Sequence, residues 1–161
     1  MELMLVDVNK DNWQYVAFLT TNENKIPTLV EENVNGNAYT MLEVLYRKEL
    51  SMKAIVIKDG DTYRAVGFAS YGPDEDNEGK RVYMLRRFMI DVRFQGQGYG
   101  KKALALVMEE MRKQYNCEEI YLSVVPSNEK AIHIYEKAGF VSTGIEIGDE
   151  THKEVIYKAS R

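Results

Sequence analysis

Apolar and polar residues alternate from Leu3 to Val8, the period of a short first strand. Asp11 or Asn12 offers a cap for a helix that carries Trp13, Val16, Ala17 and Phe18 on one side. The stretch between Asn22 and Asn37 carries the weakest pattern. Pro27 can open a short helix through Glu31, and Asn35-Gly36-Asn37 reads as a break. From Ala38 to Leu50, residues Met41, Leu42, Leu45, Tyr46 and Leu50 keep helical spacing.

The period then changes to that of strands. Ala54-Ile55-Val56-Ile57 is a β-rich run, and Asp59-Gly60 behind it is a strong hairpin signal. The return strand is expected from Tyr63 to Tyr71. A polar loop, Gly72 to Lys80, leads to a strand from Arg81 to Asp91. Gly96, Gly98 and Gly100 interrupt the pattern. A helix follows with Leu104, Val107, Met108, Met111 and Tyr115 on one face and Lys101, Lys102, Glu109, Arg112 and Lys113 outside. Ile120 to Val125 is a strand stopped by Pro126. Ser127 or Asn128 caps the next helix, which Gly139 ends. Phe140 to Ile147 and Glu154 to Lys158 form a closing hairpin around Gly148-Asp149. The order β, α, α, β, β, β, α, β, α, β, β predicts an α+β (mixed α/β) fold, a mixed sheet with helices on its faces.

Composition narrows the function classes. With 161 residues and no long Gly/Ser or Pro-rich linker, one domain over residues 1–161 is expected. The hydrophobic fraction of 45% and charged fraction of 29% are those of a globular chain. No apolar run approaches the roughly 18 residues of a spanning helix. Glu2 and Asp7 stand where a secretion signal carries positive charge. The single Cys117 suits a reducing compartment, so a cytoplasmic location is expected. Two histidines and one cysteine are too few for a common zinc site, and no metal is expected. A net charge of −4 gives no reason to expect nucleic acid as a partner.

The chemistry concentrates in Gln95-Gly96-Gln97-Gly98-Tyr99-Gly100-Lys101, between a strand and an amphipathic helix. Glycines let an anion approach the backbone, and the helix behind them begins with unpaired N–H groups and a positive dipole end. Lys101 adds a charge. The spacing is wrong for a P-loop, and the hydroxyl that binds its metal is missing. A dinucleotide fingerprint needs its third glycine one residue later and after a first strand. Coenzyme A pyrophosphate is the third anion chemistry that such a loop serves.

At these residues the sequence resembles the GNAT superfamily of acyl-CoA-dependent N-acetyltransferases. Gln95, Gly98 and Gly100 match the family pattern Q/R-x-x-G-x-G/A, although Asp91 stands where members often carry Pro. Asn128, Ala131, Tyr135, Gly139 and Phe140 match N-x-x-A-x-x-x-Y-x-x-x-G-F. The two motifs occur in family order. Gly67-Phe68-Ala69, Tyr71-Gly72 and Tyr121-Leu122-Ser123 look like the bacterial spermine/spermidine acetyltransferase branch. The resemblance implies a mostly antiparallel sheet of six to seven strands with helices on both faces, splayed at its central parallel strands. It implies acetyl-CoA as co-substrate, with its arm held by the backbone of Phe88, Met89 and Ile90 and its pyrophosphate at Gln95 to Lys101. A homodimer is a family-level expectation.

Asn128, Ala131 and Tyr135 are three and four residues apart, so they share one helix face that can admit a ligand thread. Read alone, Asn128 is an N-cap, Ala131 a helix former packed on the sheet and Tyr135 a core tyrosine. Acetyl transfer to an amine needs a proton for the departing thiolate, and a phenol is neutral at pH 7. Tyr135 is the candidate general acid, as the resemblance also implies.

For the acceptor, a small cationic amine with a polyamine first, carboxylates are sought. Asp74-Glu75-Asp76-Asn77-Glu78 is one candidate and a solvated turn is its other reading. Glu31, Glu32 and Glu43 lie in the region that lines the acceptor site in relatives. Arg86 either repels a polycation or pairs with the acidic loop. The alternatives are an amino acid, an antibiotic or a protein amine as acceptor, or a CoA-binding module without turnover. Cys117 has no adjacent histidine and His133 reads as a surface residue.

Overall fold

The computed structural model describes residues 1–22 and 36–161. Seven strands form one sheet in the order β1-β2-β3-β4-β5-β7-β6. They are β1 (Glu2–Asp7), β2 (Ser51–Asp59), β3 (Thr62–Glu75), β4 (Arg81–Ile90), β5 (Glu119–Val124), β6 (Val141–Ile147) and β7 (Glu154–Ser160). The described helices are α1 (Trp13–Ala17), α2 (Asn37–Tyr46), α3 (Tyr99–Tyr115) and α4 (Glu129–Lys137). Every neighbouring pair is antiparallel except β4 and β5. This is the mixed, mostly antiparallel sheet that the sequence implies. The expected short helix from Pro27, with Glu31 and Glu32, lies outside the described residues.

The helices sort onto two faces. Val16, Leu19 and Met41 cover Ala54, Val56, Phe68 and Met89 on one. On the other, Leu104, Val107, Met108 and Met111 of α3 cover Leu85, Ile120, Leu122 and Tyr157, and Ala103 covers Ile55, Val66 and Ile90. Each fully buried aliphatic side chain contributes about 1.5–3 kcal/mol. Ala131, Ile134 and Tyr135 of α4 pack against the α3 side.

Two sequence expectations shift. The buried stripe of α2 is Asn37, Thr40, Met41 and Val44, at i, i+3, i+4 and i+7. Leu42, Leu45 and Tyr46 fall off it and are exposed, because two polar residues, not the leucines, set the phase. In α1 only Val16 is buried, and Trp13 and Phe18 are exposed, since five residues give little more than one turn. Gly72 to Glu75 belong to β3 rather than to a loop. β2 pairs with β3 only as far as Ser51 and Tyr71, and beyond it Gly72 and Pro73 stay buried, with Leu50 and the Glu49 carbonyl close against Gly72.

β4 carries the two irregularities that matter. Ser70 pairs with Arg87 and Tyr71 with Leu85, which leaves Arg86 as the extra residue of a β-bulge. The bulge resets the alternation of faces. Leu85 joins the α3 side, whereas Arg87 and Met89 turn to the α1–α2 side. Arg86 reaches Glu43 of α2, so both arginines serve that one face. The second irregularity is an opening. β4 and β5 share a single registered pair, Met84 with Tyr121. Beyond it β4 stays with β3 through Gly67 and Ile90, and β5 stays with β7 through Val124 and Val155. The sheet therefore splits between its two parallel strands.

Candidate active site

The gap is bordered by the end of β4. Asp91 N–H donates to the Val66 carbonyl at 2.9 Å. The Met89 carbonyl lies 2.5 Å from where a Cβ on Gly67 would sit, so only glycine allows β3 this close. The Met89 backbone thus faces β3. Main-chain groups alternate sides along a strand, so those of Phe88 and Ile90 face the gap. The Ile90 carbonyl accepts from Gln95 Nε2 at 2.9 Å. Of the three residues expected to hold the arm of acetyl-CoA, Phe88 and Ile90 turn their backbone to the gap and Met89 turns its own to β3. The Gln95 side chain is committed to the strand end and shapes the loop.

The strand leaves the sheet through a single 3-10 turn, Val92–Phe94, and the glycine loop follows. Gly96 and Gly98 have φ of 74° and 80°, and Gly98 is the N-cap of α3. A Cβ at either would meet no atom within 4 Å, so φ and not space demands glycine there. Among the described residues, none accepts a hydrogen bond from the backbone N–H of Gly96, Gln97, Gly98, Tyr99 or Gly100. Gln97 reaches back to the Arg93 carbonyl at 3.3 Å and Lys101 is exposed. The result is an open run of donors at the start of a 17-residue helix, the arrangement that holds a phosphate.

Gly100 has an ordinary φ, and a Cβ there would lie 3.6 Å from Ile134 and 4.0 Å from Ile90. The first turn of α3, the end of β4 and α4 therefore meet at one point. Tyr135 is the next residue of α4. It is half-buried by accessible area, with its ring edge-on to Phe140 at 5.9 Å. Protein atoms crowd it enough that burial pushes the phenol up to about 12. Among the described residues, none hydrogen-bonds its hydroxyl. Asn128 caps α4, its Oδ1 accepting from Ala131 N–H at 3.3 Å, so the bland reading of Asn128 holds for that oxygen.

The acidic residues divide. Arg86 Nη1 pairs with Asp74 and Nη2 with Glu43 Oε1 at 2.6 Å, so Arg86 neutralises two of the candidate acceptor carboxylates. Asp76 accepts from the N–H groups of Glu78 and Lys80 at 2.9 Å each and holds the β3–β4 turn. Glu75 and Glu78 are exposed. The Cys117 thiol is buried, which pushes its pKa up, and His133 is exposed.

Sequence reasoning missed two buried polar ties. Arg87 Nε donates to Asn37 Oδ1 at 2.7 Å, and Asn37 Nδ2 donates to the Val16 carbonyl at 2.9 Å, which joins both N-terminal helices to β4. Asp91 is fully buried. It accepts from Thr20 N–H at 3.0 Å, Arg93 N–H at 3.0 Å and Arg93 Nε at 2.8 Å. Burial raises its pKa, but Arg93 and the Thr20 and Arg93 N–H groups outweigh that and leave it below the usual carboxylate value. Val92 N–H returns a bond to the Thr20 carbonyl. Polar residues that pair over 50 or more positions leave no periodic signal.

The profile of the Acetyltransferase (GNAT) family matches residues 21–140. A spermine/spermidine N(1)-acetyltransferase of Bacillus subtilis strain 168 is 46% identical over 83 residues, which are 49% of this chain and 54% of that protein. The chain thus spans about half the length of that curated relative. A solved chimera of the spermidine N-acetyltransferase of Vibrio cholerae and hSSAT superposes with a TM-score of 0.68 at 19% identity, covering 99% of this chain and 96% of that one. A chain of the NatC complex bound to Gag peptide and CoA superposes with a TM-score of 0.68 at 15% identity, covering 100% and 99%.

Proposed function

The chain belongs to the GNAT acetyltransferase family, and on that premise we propose that it moves an acetyl group from acetyl-CoA to a primary amine, with a polyamine as the first acceptor. The observation that carries this reading is the opening between β4 and β5, bordered by an unpaired run of N–H donors. Acetyl-CoA supplies an acetyl group activated as a thioester, which an amine can take up with release of the thiol.

The residues fit that co-substrate. Gly96 to Gly100 and the α3 dipole hold its pyrophosphate, and Lys101 adds charge. Phe88 and Ile90 offer main-chain groups at the gap, where acyl transfer needs fixed donors. Tyr135 keeps its proton through the neutral range and gives it to the leaving sulfur. The glycine loop, α3 and α4 serve one face of the sheet and α1 and α2 the other, so co-substrate and acceptor enter from opposite sides. That supports direct transfer with both bound. The likeness to polyamine acetyltransferases supports the choice of acceptor.

The test is a panel of spermidine, spermine, an amino acid, an aminoglycoside and a peptide amine with acetyl-CoA, read as thiol release. Fastest release with a polyamine is expected. Preference for another amine moves the acceptor class, and release with none overturns the reading.

A further inference from the structure

The charge pairing of the sheet singles out one carboxylate. Six described carboxylates are buried or half-buried: Glu43, Asp74, Asp91, Glu110, Glu119 and Glu154. Five have a cation within 4 Å. Glu43 and Asp74 share Arg86, Asp91 has Arg93, Glu110 has Lys53 at 3.6 Å and Glu119 has Lys158 at 2.9 Å. Among the described residues no Lys, Arg or His nitrogen lies within that distance of Glu154. Its partner is the Ser123 hydroxyl, which donates to Oε1 at 3.2 Å.

The position of Glu154 is as informative as its charge. Tyr157 and Ala159 of β7 belong to the α3-side core, so Glu154, Ile156 and Lys158 alternate to the other face. Ser123 shares that face, since Ile120, Leu122 and Val124 take the core side. The core under α1 and α2 draws on β1, β2, β3 and β4 and, among the described residues, on none of β5, β6 or β7. The row Glu119, Tyr121, Ser123, Glu154 and Lys158 is therefore uncovered by those helices. At the end of the row where β4 and β5 are paired, Lys158 neutralises Glu119 and Tyr121 donates to it at 3.0 Å. At the end where they have parted, Glu154 has only the Ser123 hydroxyl among the described residues. A half-buried anion without a counter-charge draws a cation to itself.

We infer that Glu154, held by Ser123, binds a protonated amino group of the acceptor at the acceptor-side mouth of the β4–β5 gap. This rests on the acetyl-transfer reading above. It assigns Glu154 the part that sequence reasoning gave to Asp74–Glu78. Glu154 is a binding residue and Ser123 a positioning residue behind it.

The test uses Glu154→Gln, which keeps shape and removes charge, with Glu154→Asp and Ser123→Ala beside it. Thiol-release kinetics with spermidine should show the KM for the amine raised at least tenfold in Glu154→Gln and the KM for acetyl-CoA within twofold of wild type. The kcat at saturating amine should fall less than the amine KM rises. Glu154→Asp should recover part of the loss, and Ser123→Ala should raise the amine KM about threefold. An unchanged amine KM in a folded Glu154→Gln protein overturns the inference, as does a loss confined to kcat. If Glu154→Gln does not fold, Glu154→Asp and Ser123→Ala decide it in the same way. Calorimetric titration of spermidine in the presence of CoA separates this claim from the reaction it rests on. Wild type that binds spermidine at least tenfold tighter than Glu154→Gln, yet releases no thiol with any amine, sinks the reaction and keeps the site. Equal binding by the two proteins sinks the site.

Discussion

Replacing Tyr135 by Phe keeps the ring, its edge contact with Phe140 and its packing against the α3 side. Only the hydroxyl goes, and among the described residues nothing hydrogen-bonds it. Removing an unpaired hydroxyl should change stability by less than about 1 kcal/mol in either direction. Catalysis should respond more strongly. A positioned general acid is worth about 10²–10⁴ in rate. A phenol at about 12 is a weak acid, far above the working pH, which puts Tyr135 at the low end. The expected fall in kcat is therefore about 10²-fold, or about 2.7 kcal/mol. Acetyl-CoA affinity should stay within twofold, because the proton matters in the transition state. The pH dependence has a definite sign. The folded phenol sits above its ordinary value of 10, so its neutral form stabilises the fold fully below pH 10 and less as pH climbs toward about 12. The variant should lose part of that alkaline destabilisation. Below pH 10 Tyr135 adds no alkaline limb to the wild-type rate. Thiol release at saturating spermidine, with chemistry rate-limiting, alongside melting curves from pH 7 to 11, reads all three. A folded variant with wild-type kcat would remove Tyr135 from the reaction and leave proton delivery to water.

Two further substitutions test the frame around the gap. Gly67→Ala puts a Cβ 2.5 Å from the Met89 carbonyl and 2.9 Å from Ile90, so β3 must move off β4. A loss of about 1–3 kcal/mol in urea unfolding and weaker acetyl-CoA binding are expected. Asp91→Asn gives up the charge that Arg93 and the Thr20 N–H share, at a cost of about 1–3 kcal/mol at pH 7. The folded carboxyl titrates below its ordinary 3.8, so its stabilisation is present above that value and is lost as pH falls through the folded pKa. The gap between variant and wild-type melting curves should therefore close in acid.

The features carried by local pattern were legible in the sequence. Strand alternation, the Asp59-Gly60 turn and the helix behind Gly98 all follow from short-range periodicity or backbone conformation. The glycine loop is legible for the same reason, since positive φ at Gly96 and Gly98 is a local demand. The splay is not, because it is a failure of pairing between β4 and β5, whose own sequences are ordinary strands. The phase of α2 was hidden because Asn37 and Thr40 are buried through partners on other elements, and hydrophobicity pointed to Leu42 and Leu45 instead. Asp74–Asp76 stood out as a charge run, yet Arg86 and the turn occupy two of its acids. Glu154 did not stand out. What distinguishes it is that no cation among the described residues lies beside it, and sequence shows only which charges exist, not which ones meet.

The measurement closest to the central claim is a calorimetric titration of acetyl-CoA into the wild-type protein and into Gly98→Val. Gly98 holds φ at 80° at the N-cap of α3, where a β-branched residue is strained and where the donors of the loop converge. Saturable one-to-one binding by the wild type is expected. In the folded variant binding should be at least tenfold weaker, about 1.4 kcal/mol. Equal affinity in the two proteins, or no binding by the wild type, would contradict the assignment of this loop and the β4–β5 gap to acetyl-CoA.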